Sequence, residues 1–335
     1  MEYLASIANF DMNIIIFGGS GFIGLNLCNQ LNGSHRLTVF DKIKSSLGFP
    51  DFIMGDVQDP IFLDNSEKFD VIINLAAEHA DNVLPKSLYN SVNVGGAVNI
   101  CNFASKNNIK KIIFTSSVAV YGVAQFGADE DCPINPFNEY GATKFQAEEV
   151  YRLWLNESPD DRMLTIIRPT VVFGPGNRGN VFNLFRQIFA GKFIMVGSGL
   201  NRKSMAYVDN VAAFIKYCLN FNSGYYLYNY VDKPDYKMND LVAKISSHSP
   251  PKNIFNHLIS KLYLPYGAGL LIASFFDFYS WLSGKQFAIS RIRIKKFCMN
   301  SVYTSKVDGL SFTAPVHLDE AIKITVQSEF LSDPK

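Results

Sequence analysis

The chain has 335 residues, 48% of them hydrophobic and 18% charged, with a formal net charge of +1. That size and composition suit one large α/β unit or two modest domains. Near-neutral charge and the lack of a dense Lys/Arg stripe on any expected helix exclude a nucleic-acid footprint. The short basic run from Arg291 to Lys296 reads as a solvated face.

Five widely spaced cysteines (Cys28, Cys101, Cys132, Cys218, Cys298) imply reduced thiols in a cytoplasmic setting and no zinc site. The five histidines show no metal-ligand spacing, so no metal is expected. The leader "MEYLASIANFD" has neither a basic n-region nor an apolar run of signal length, which argues against secretion.

From Asn13 onward, short apolar runs alternate with amphipathic stretches. Strands are expected at 13–17, 36–41, 69–77, 111–117 and 163–174, and helices at 21–31, 87–107 and 139–157. The strands are continuous Val/Ile/Leu/Phe runs, the pattern of parallel strands covered on both faces. Repeated β-α-β spacing then predicts an α/β fold: a Rossmann-like, doubly wound parallel sheet with right-handed crossovers. After about Gly179 helices at 180–191 and 208–221 mix with short strands such as 225–231. A smaller C-terminal substrate-binding cap is expected there, giving a dinucleotide-binding domain at 12–179 and a partly interleaved cap at 180–335.

"FGGSGFIG" follows the first strand and opens the first helix. Gly18 permits a tight turn, Gly21 lets backbone approach a pyrophosphate, and Gly24 allows close helix–strand packing; Phe22 and Ile23 lie between the last two. The helix N-terminus offers N–H groups and a positive dipole end to phosphates. Asp41 ends the second strand, where a carboxylate accepts from the adenosine ribose hydroxyls and repels a 2′-phosphate, so NAD is favoured over NADP. Further on, "NEYGATK" sets Tyr140 four residues before Lys144, on one face of an expected helix.

The series "GGSGFIG", "GDV" (55–57), "NLAA" (74–77), "VNVGG" (92–96), "TSSVAVYG" (115–122), "YGATK" (140–144) and "RPTVVFGPG" (168–176) resembles the extended short-chain dehydrogenase/reductase superfamily. More narrowly it is similar to the NAD-dependent epimerase/dehydratase family, over roughly residues 13 to 232. The resemblance implies Tyr140 as general acid/base, with Lys144 lowering its pKa from about 10 and holding the nicotinamide ribose. It implies Ser117 as the hydroxyl that orients the substrate oxygen, with Ser116 as the fallback. It also places Asp56 and Val57 at the adenine, Leu75, Ala76 and Ala77 at the turn beside the pyrophosphate, Asn93 at a cofactor-side structural position and Pro169 near the carboxamide.

For the substrate, the segment "GSGLNRKSMAYVDNVA" (197–212) implies Arg202 on a sugar-nucleotide diphosphate, a task suited to a guanidinium fork. Asn180 is a second candidate there. Family members that dehydrate the sugar carry Asp-Glu after the catalytic hydroxyl; here Val118-Ala119 cannot move those protons. The implied function is an NAD-dependent nucleotide-sugar epimerase inverting C4 through a transient 4-keto sugar. The alternatives are an NAD(P)H-dependent keto-sugar reductase, a 3β-hydroxysteroid dehydrogenase-like enzyme on a lipid-like alcohol, and a non-catalytic dinucleotide sensor.

Two expectations concern partners. Relatives often dimerise through two helices per subunit, here 87–107 and 139–157. "LYLPYGAGLLIASFFDFYSWL" (262–282) is nearly long enough to span a bilayer, but Asp277 and its early Pro and Gly favour a buried or interfacial helix, with peripheral membrane contact as one outcome.

Overall fold

Ile14 and Ile16 point to one face of a sheet and Ile15 and Phe17 to the other, so a run that looks uniformly apolar feeds two separate cores. The computed structural model describes residues 11–48, 50–63, 68–80, 83–122, 126–249, 262–283 and 290–331; most of the leader lies outside them. In chain order, β1 (Asn13–Phe17) leads into α1 (Phe22–Leu31), β2 (Arg36–Asp41), β3 (Asp51–Met54) and β4 (Val71–Asn74). A helical stretch then runs as α2 (Ser87–Tyr89), a π turn (Asn90–Gly95) and α3 (Gly96–Lys106). β5 (Lys111–Thr115), β6 (Phe126–Ala128), α4 (Glu139–Asn156), β7 (Met163–Pro169) and β8 (Val171–Phe173) complete the first half.

The second half comprises α5 (Asn180–Phe189), β9 (Met195–Val196), β10 (Arg202–Tyr207), α6 (Val208–Cys218), β11 (Gly224–Tyr230), β12 (Asp232–Lys237) and α7 (Met238–Ser247). It ends with β13 (Tyr263–Leu264), α8 (Tyr266–Ser283), α9 (Arg291–Cys298), β14 (Val302–Tyr303) and α10 (Leu318–Val326).

Seven parallel strands form the large sheet in the order β11-β7-β5-β4-β1-β2-β3. One face buries Ile14, Ile16, Leu27, Leu31 and Phe214 beneath α1 and α6. The other buries Ile15, Phe17, Phe114, Tyr151 and Trp154 beneath α3 and α4. Strand order reverses between β1 and β4, the switch point where open α/β sheets bind ligands at the carboxyl ends of their strands. The cap is built on a three-stranded sheet, β12-β10-β8, with α5, α7 and α10 around Phe173, Phe185, Tyr207 and Leu241.

Four differences from the sequence reading have local causes. β3 was not anticipated: it is four residues long, and its outer residues Asp51 and Met54 are exposed at the sheet edge. The run 163–174 divides at Thr170: β7 stays in the large sheet while β8 pairs with β10 in the cap. Both halves are apolar, so periodicity cannot mark the break. The helix at 87–107 contains the π turn, centred where Asn93 accepts from the Glu78 N–H (2.8 Å) and donates to Thr143 Oγ1 (3.0 Å). Finally, residues 208–230 return to the large sheet, α6 packing on α1 and β11 pairing with β7 along its whole length.

Candidate active site

The turn after β1 is shaped by contact with the turn after β4. Gly18 has φ +74°, and a Cβ there would lie 2.6 Å from the Ala76 nitrogen. A Cβ on Gly24 would lie 2.4 Å from the Gly19 carbonyl oxygen, so α1 is pressed against the turn that precedes it. Gly21 caps α1 without a side chain, leaving the first-turn N–H groups to an incoming anion. Asp41 is tied to this turn: Oδ2 accepts from the Ser20 N–H at 3.0 Å and Oδ1 from the Ile43 N–H at 3.2 Å. The carboxylate keeps acceptor capacity for a ribose diol.

A cavity of about 1230 Å3 opens along the carboxyl ends of the large sheet. Gly18, Gly21, Phe22, Ile23, Gly24 and Asp41 line one end, and Asp56 and Val57 lie beside them. Leu75, Ala76, Ala77, Ser116 and Pro169 form the middle walls, with Ser117, Tyr140 and Lys144 among them. Asn180 lines the cavity as well. Thr170 also faces this space, and its buried hydroxyl has no hydrogen-bond partner among the described residues. A glycine cradle without room for side chains, an open helix N-terminus, a strand-end carboxylate and an orphaned hydroxyl together fit an extended dinucleotide.

The three residues expected to carry chemistry converge. Ser117 follows β5, and its Oγ accepts from the Ala119 N–H at 3.1 Å, while its hydroxyl is near enough to the Tyr140 phenol to pull the phenol's pKa down. Asn138 starts α4 by accepting from the Gly141 N–H, which sets Tyr140 in the first turn and Lys144 one turn later. Lys144 is 2% exposed, with Nζ 4.2 Å from the centre of the Phe114 ring. Burial pushes its ammonium down to about 7, against a smaller upward pull from Glu148. The Tyr140 phenol is raised by burial, which outweighs the downward pull of Ser117. The chain's own groups therefore set an easily deprotonated lysine beside a proton-holding phenol.

Behind this trio lies a buried polar chain that sequence reading missed. Ser116 Oγ donates to Glu148 Oε1 at 2.5 Å, and Arg168 grips both oxygens of the same carboxylate. Arg168 Nη1 donates to Tyr121 Oη (2.8 Å), whose O–H donates to Asn229 Oδ1 (2.8 Å) on β11. Ser116 is thereby committed to Glu148, which leaves Ser117 as the hydroxyl facing the phenol.

Two expected site residues do not line the cavity, Asn93 because it holds a structural position beside it. Asn93 braces the Glu78 backbone against Thr143. Arg202 does not reach the cavity either: its Nη1 donates to the Asp235 carbonyl at 2.9 Å and its N–H to Asn300 Oδ1 at 2.7 Å. Its neighbours Asn201 and Lys203 donate to backbone carbonyls at the end of α9, at Phe297, Lys296 and Met299. That anchoring brings Ile292, Lys295, Lys296 and Met299 of the α9 segment onto the cavity rim. The basic run read as a solvated face thus supplies cations to the site, a role visible only once the chain folds back.

Residues 14–229 match the model of the NAD dependent epimerase/dehydratase family. The chain belongs to that family. It is 47% identical over 327 residues to N-acetyl-alpha-D-glucosaminyl-diphospho-ditrans,octacis-undecaprenol 4-epimerase of Escherichia coli O157:H7, spanning 96% of this chain and 97% of that protein. A sterol-4-alpha-carboxylate 3-dehydrogenase of Candida albicans is 32% identical over 225 residues, but across only 60% of this chain. Among solved structures, a UDP-glucuronic acid 4-epimerase of Bacillus cereus in complex with NAD superposes with a TM-score of 0.67 at 19% identity, covering 95% of this chain and 98% of that one, which supports the fold.

This family member is an NAD-dependent epimerase of the extended short-chain dehydrogenase/reductase type, similar to sugar 4-epimerases. The reductase, steroid-dehydrogenase and sensor alternatives are not favoured by these relatives. Val118 and Ala119 line the cavity where a dehydratase would need acids.

Proposed function

We propose that the enzyme inverts C4 of an N-acetylhexosamine carried by a polyprenyl diphosphate. The observation that carries this reading is the 47% identity to a lipid-linked-sugar 4-epimerase along almost the whole chain, including the C-terminal part where the carrier would be read.

Tyr140 takes the proton of the 4-hydroxyl and later returns it, and Ser117 holds the same oxygen in line. Lys144 binds the nicotinamide ribose and, when charged, favours phenolate on Tyr140. NAD held by the Gly18–Gly24 turn, Asp41 and Lys144 would supply the hydride acceptor and donor for C4. The diphosphate meets Lys295, Lys296 and the α5 N-terminus at Asn180, all on the cavity rim. The chain works in the cytoplasm as a homodimer through 87–107 and 139–157, and meets the membrane that holds its substrate through 262–282.

The test is incubation of purified protein with N-acetylglucosaminyl-diphospho-undecaprenol, without added reduced cofactor, followed by release and chromatography of the sugar. Appearance of N-acetylgalactosamine is expected, and its absence overturns the reading. A second reading, a free nucleotide sugar, is favoured by solved neighbours that hold UDP-sugars. Inversion of UDP-N-acetylglucosamine with the lipid-linked sugar untouched would establish it.

A further inference from the structure

α8 is apolar on both sides and turns its large residues the wrong way for a helix in water. The side turned to the body of the protein is small: Ala273 is fully buried, and a Cβ on Gly269 would come within 2.7 Å of Val196. The large apolar residues face out. Leu271, Phe275, Phe278 and Leu282 are 74%, 68%, 60% and 66% exposed, at spacings of four, three and four residues. That places them in one stripe about 16 Å long. Scattered exposed apolar residues are ordinary, whereas a continuous row of this kind marks a contact surface.

The neighbouring helix supplies the charge. α9 packs against α8, and the Arg291 N–H donates to Asp277 Oδ2 at 3.0 Å, joining the start of one to the middle of the other. Within its eight residues α9 carries Arg291, Arg293, Lys295 and Lys296 and no acid. Its residues Ile292 and Lys296 are exposed and also line the cavity, so this helix forms both the rim of the site and the border of the apolar stripe. Among the described residues no helix is long and apolar enough to cross a membrane.

We propose that α8 and α9 together dock the enzyme on the surface of an anionic phospholipid bilayer, with the α8 stripe lying in the interface and the α9 cations among the headgroups. The inference rests on the lipid-linked substrate proposed above, and names the surface through which such a substrate is met. An apolar stripe flanked by cations is the pattern of a helix lying in the plane of an anionic membrane. A second copy of the chain is a poorer occupant: a twofold contact through α8 would bring the α9 cations of both copies together. Docking in this pose sets the cavity rim at the headgroup level, where a membrane-anchored diphosphate resides.

The experiment is flotation of the full chain with vesicles of phosphatidylglycerol and phosphatidylethanolamine, in parallel with pure phosphatidylcholine, at low and raised salt. Binding is expected to the anionic vesicles and to weaken with salt. The double variant Leu271→Glu/Phe275→Glu should lose it by ~10-fold or more while keeping wild-type NAD affinity and sedimentation. Should that variant fail to fold, Arg291→Glu tests the charged border and should reduce anionic-vesicle binding several-fold.

Wild-type protein that ignores anionic vesicles, or variants that bind them as tightly as wild type, would overturn the proposal. So would a variant that turns a dimer into a monomer with vesicle binding intact, since α8 would then be a self-contact. Epimerisation of the lipid-linked sugar in detergent without vesicle binding sinks only this docking surface. Vesicle binding without such epimerisation sinks only the substrate reading.

Discussion

Glu148 and Arg168 form an ion pair sealed from solvent, with Nη2 2.5 Å from one carboxylate oxygen and Nε 2.9 Å from the other. It joins α4, which carries Tyr140 and Lys144, to β7, and through Ser116 to the segment after β5 that carries Ser117. Both segments that bear the chemistry, and the strand β7 between them and the cap, therefore meet at one carboxylate.

Removing that charge strands a buried guanidinium. Glu148→Gln is expected to destabilise the fold by about 3–5 kcal/mol, the usual penalty for breaking a buried pair on one side. Denaturant unfolding measures it; a change below 1 kcal/mol, on the scale of a surface ion pair, would mean that the pair does not bind these segments together.

Tyr140→Phe keeps the ring and deletes the acid/base group. Turnover should fall by ~10²–10⁴-fold or more, with NAD affinity unchanged. Ser117→Ala should fall within the same range, while Ser116→Ala should act through stability, because its hydroxyl is spent on Glu148. Equal catalytic losses at both serines, with stability unaltered, would contradict this assignment.

Stability should vary with pH through Lys144. Its ammonium titrates at about 7 in the fold and at an ordinary 10.5 when unfolded. Between those values the unfolded chain binds the extra proton, so this group makes stability rise with pH across that window, and below it the fold bears the penalty of a buried charge. Lys203, lowered to about 8 by burial, acts in the same sense. Cys28, Cys101 and Cys218, raised by burial from 9.0, act in the opposite sense above that value, which sets the upper limit of the comparison, and Tyr140 joins them above 10.0. Lys144→Met should flatten the slope measured by unfolding in protein free of nucleotide; an unaltered slope would rule out a depressed Lys144.

Gly18→Ala places a methyl against the backbone of Ala76 and forces an L-residue to positive φ. Loss of NAD binding, measured calorimetrically, is expected together with a lowered melting temperature. Gly33 also has positive φ, but a Cβ there meets nothing within 4 Å. Gly33→Ala should therefore cost only about 1 kcal/mol of backbone strain and leave NAD affinity intact.

Arg202→Ala should disturb KM less than Lys296→Ala. The first side chain is held by the Asp235 carbonyl, away from the cavity, whereas Lys296 stands on its rim with Nζ 4.3 Å from the Phe137 ring centre. A loss of ~10-fold in kcat/KM is expected for Lys296→Ala, on the scale of one charge-assisted contact. The reverse ranking would return the diphosphate to Arg202.

The linear chain was enough to reveal the parallel sheet, the glycine turn, the strand-end Asp41 and the pairing of Tyr140 with Lys144. Each of these depends on local spacing: apolar runs make covered strands, and residues four apart share a helical face. It was silent on what distant segments do when they meet. Glu148 lies 20 residues from Arg168 and 32 from Ser116, and nothing local distinguishes it from a surface glutamate. Arg202 looked like an anion-gripping fork until β10 turned it toward Asp235, and α9 looked like a solvated face until Lys203 and Asn201 drew its end to the cavity. Hydrophobicity alone could not say which way α8 faces; packing did, because the small side of that helix fits closely against Val196 and leaves the large side outward.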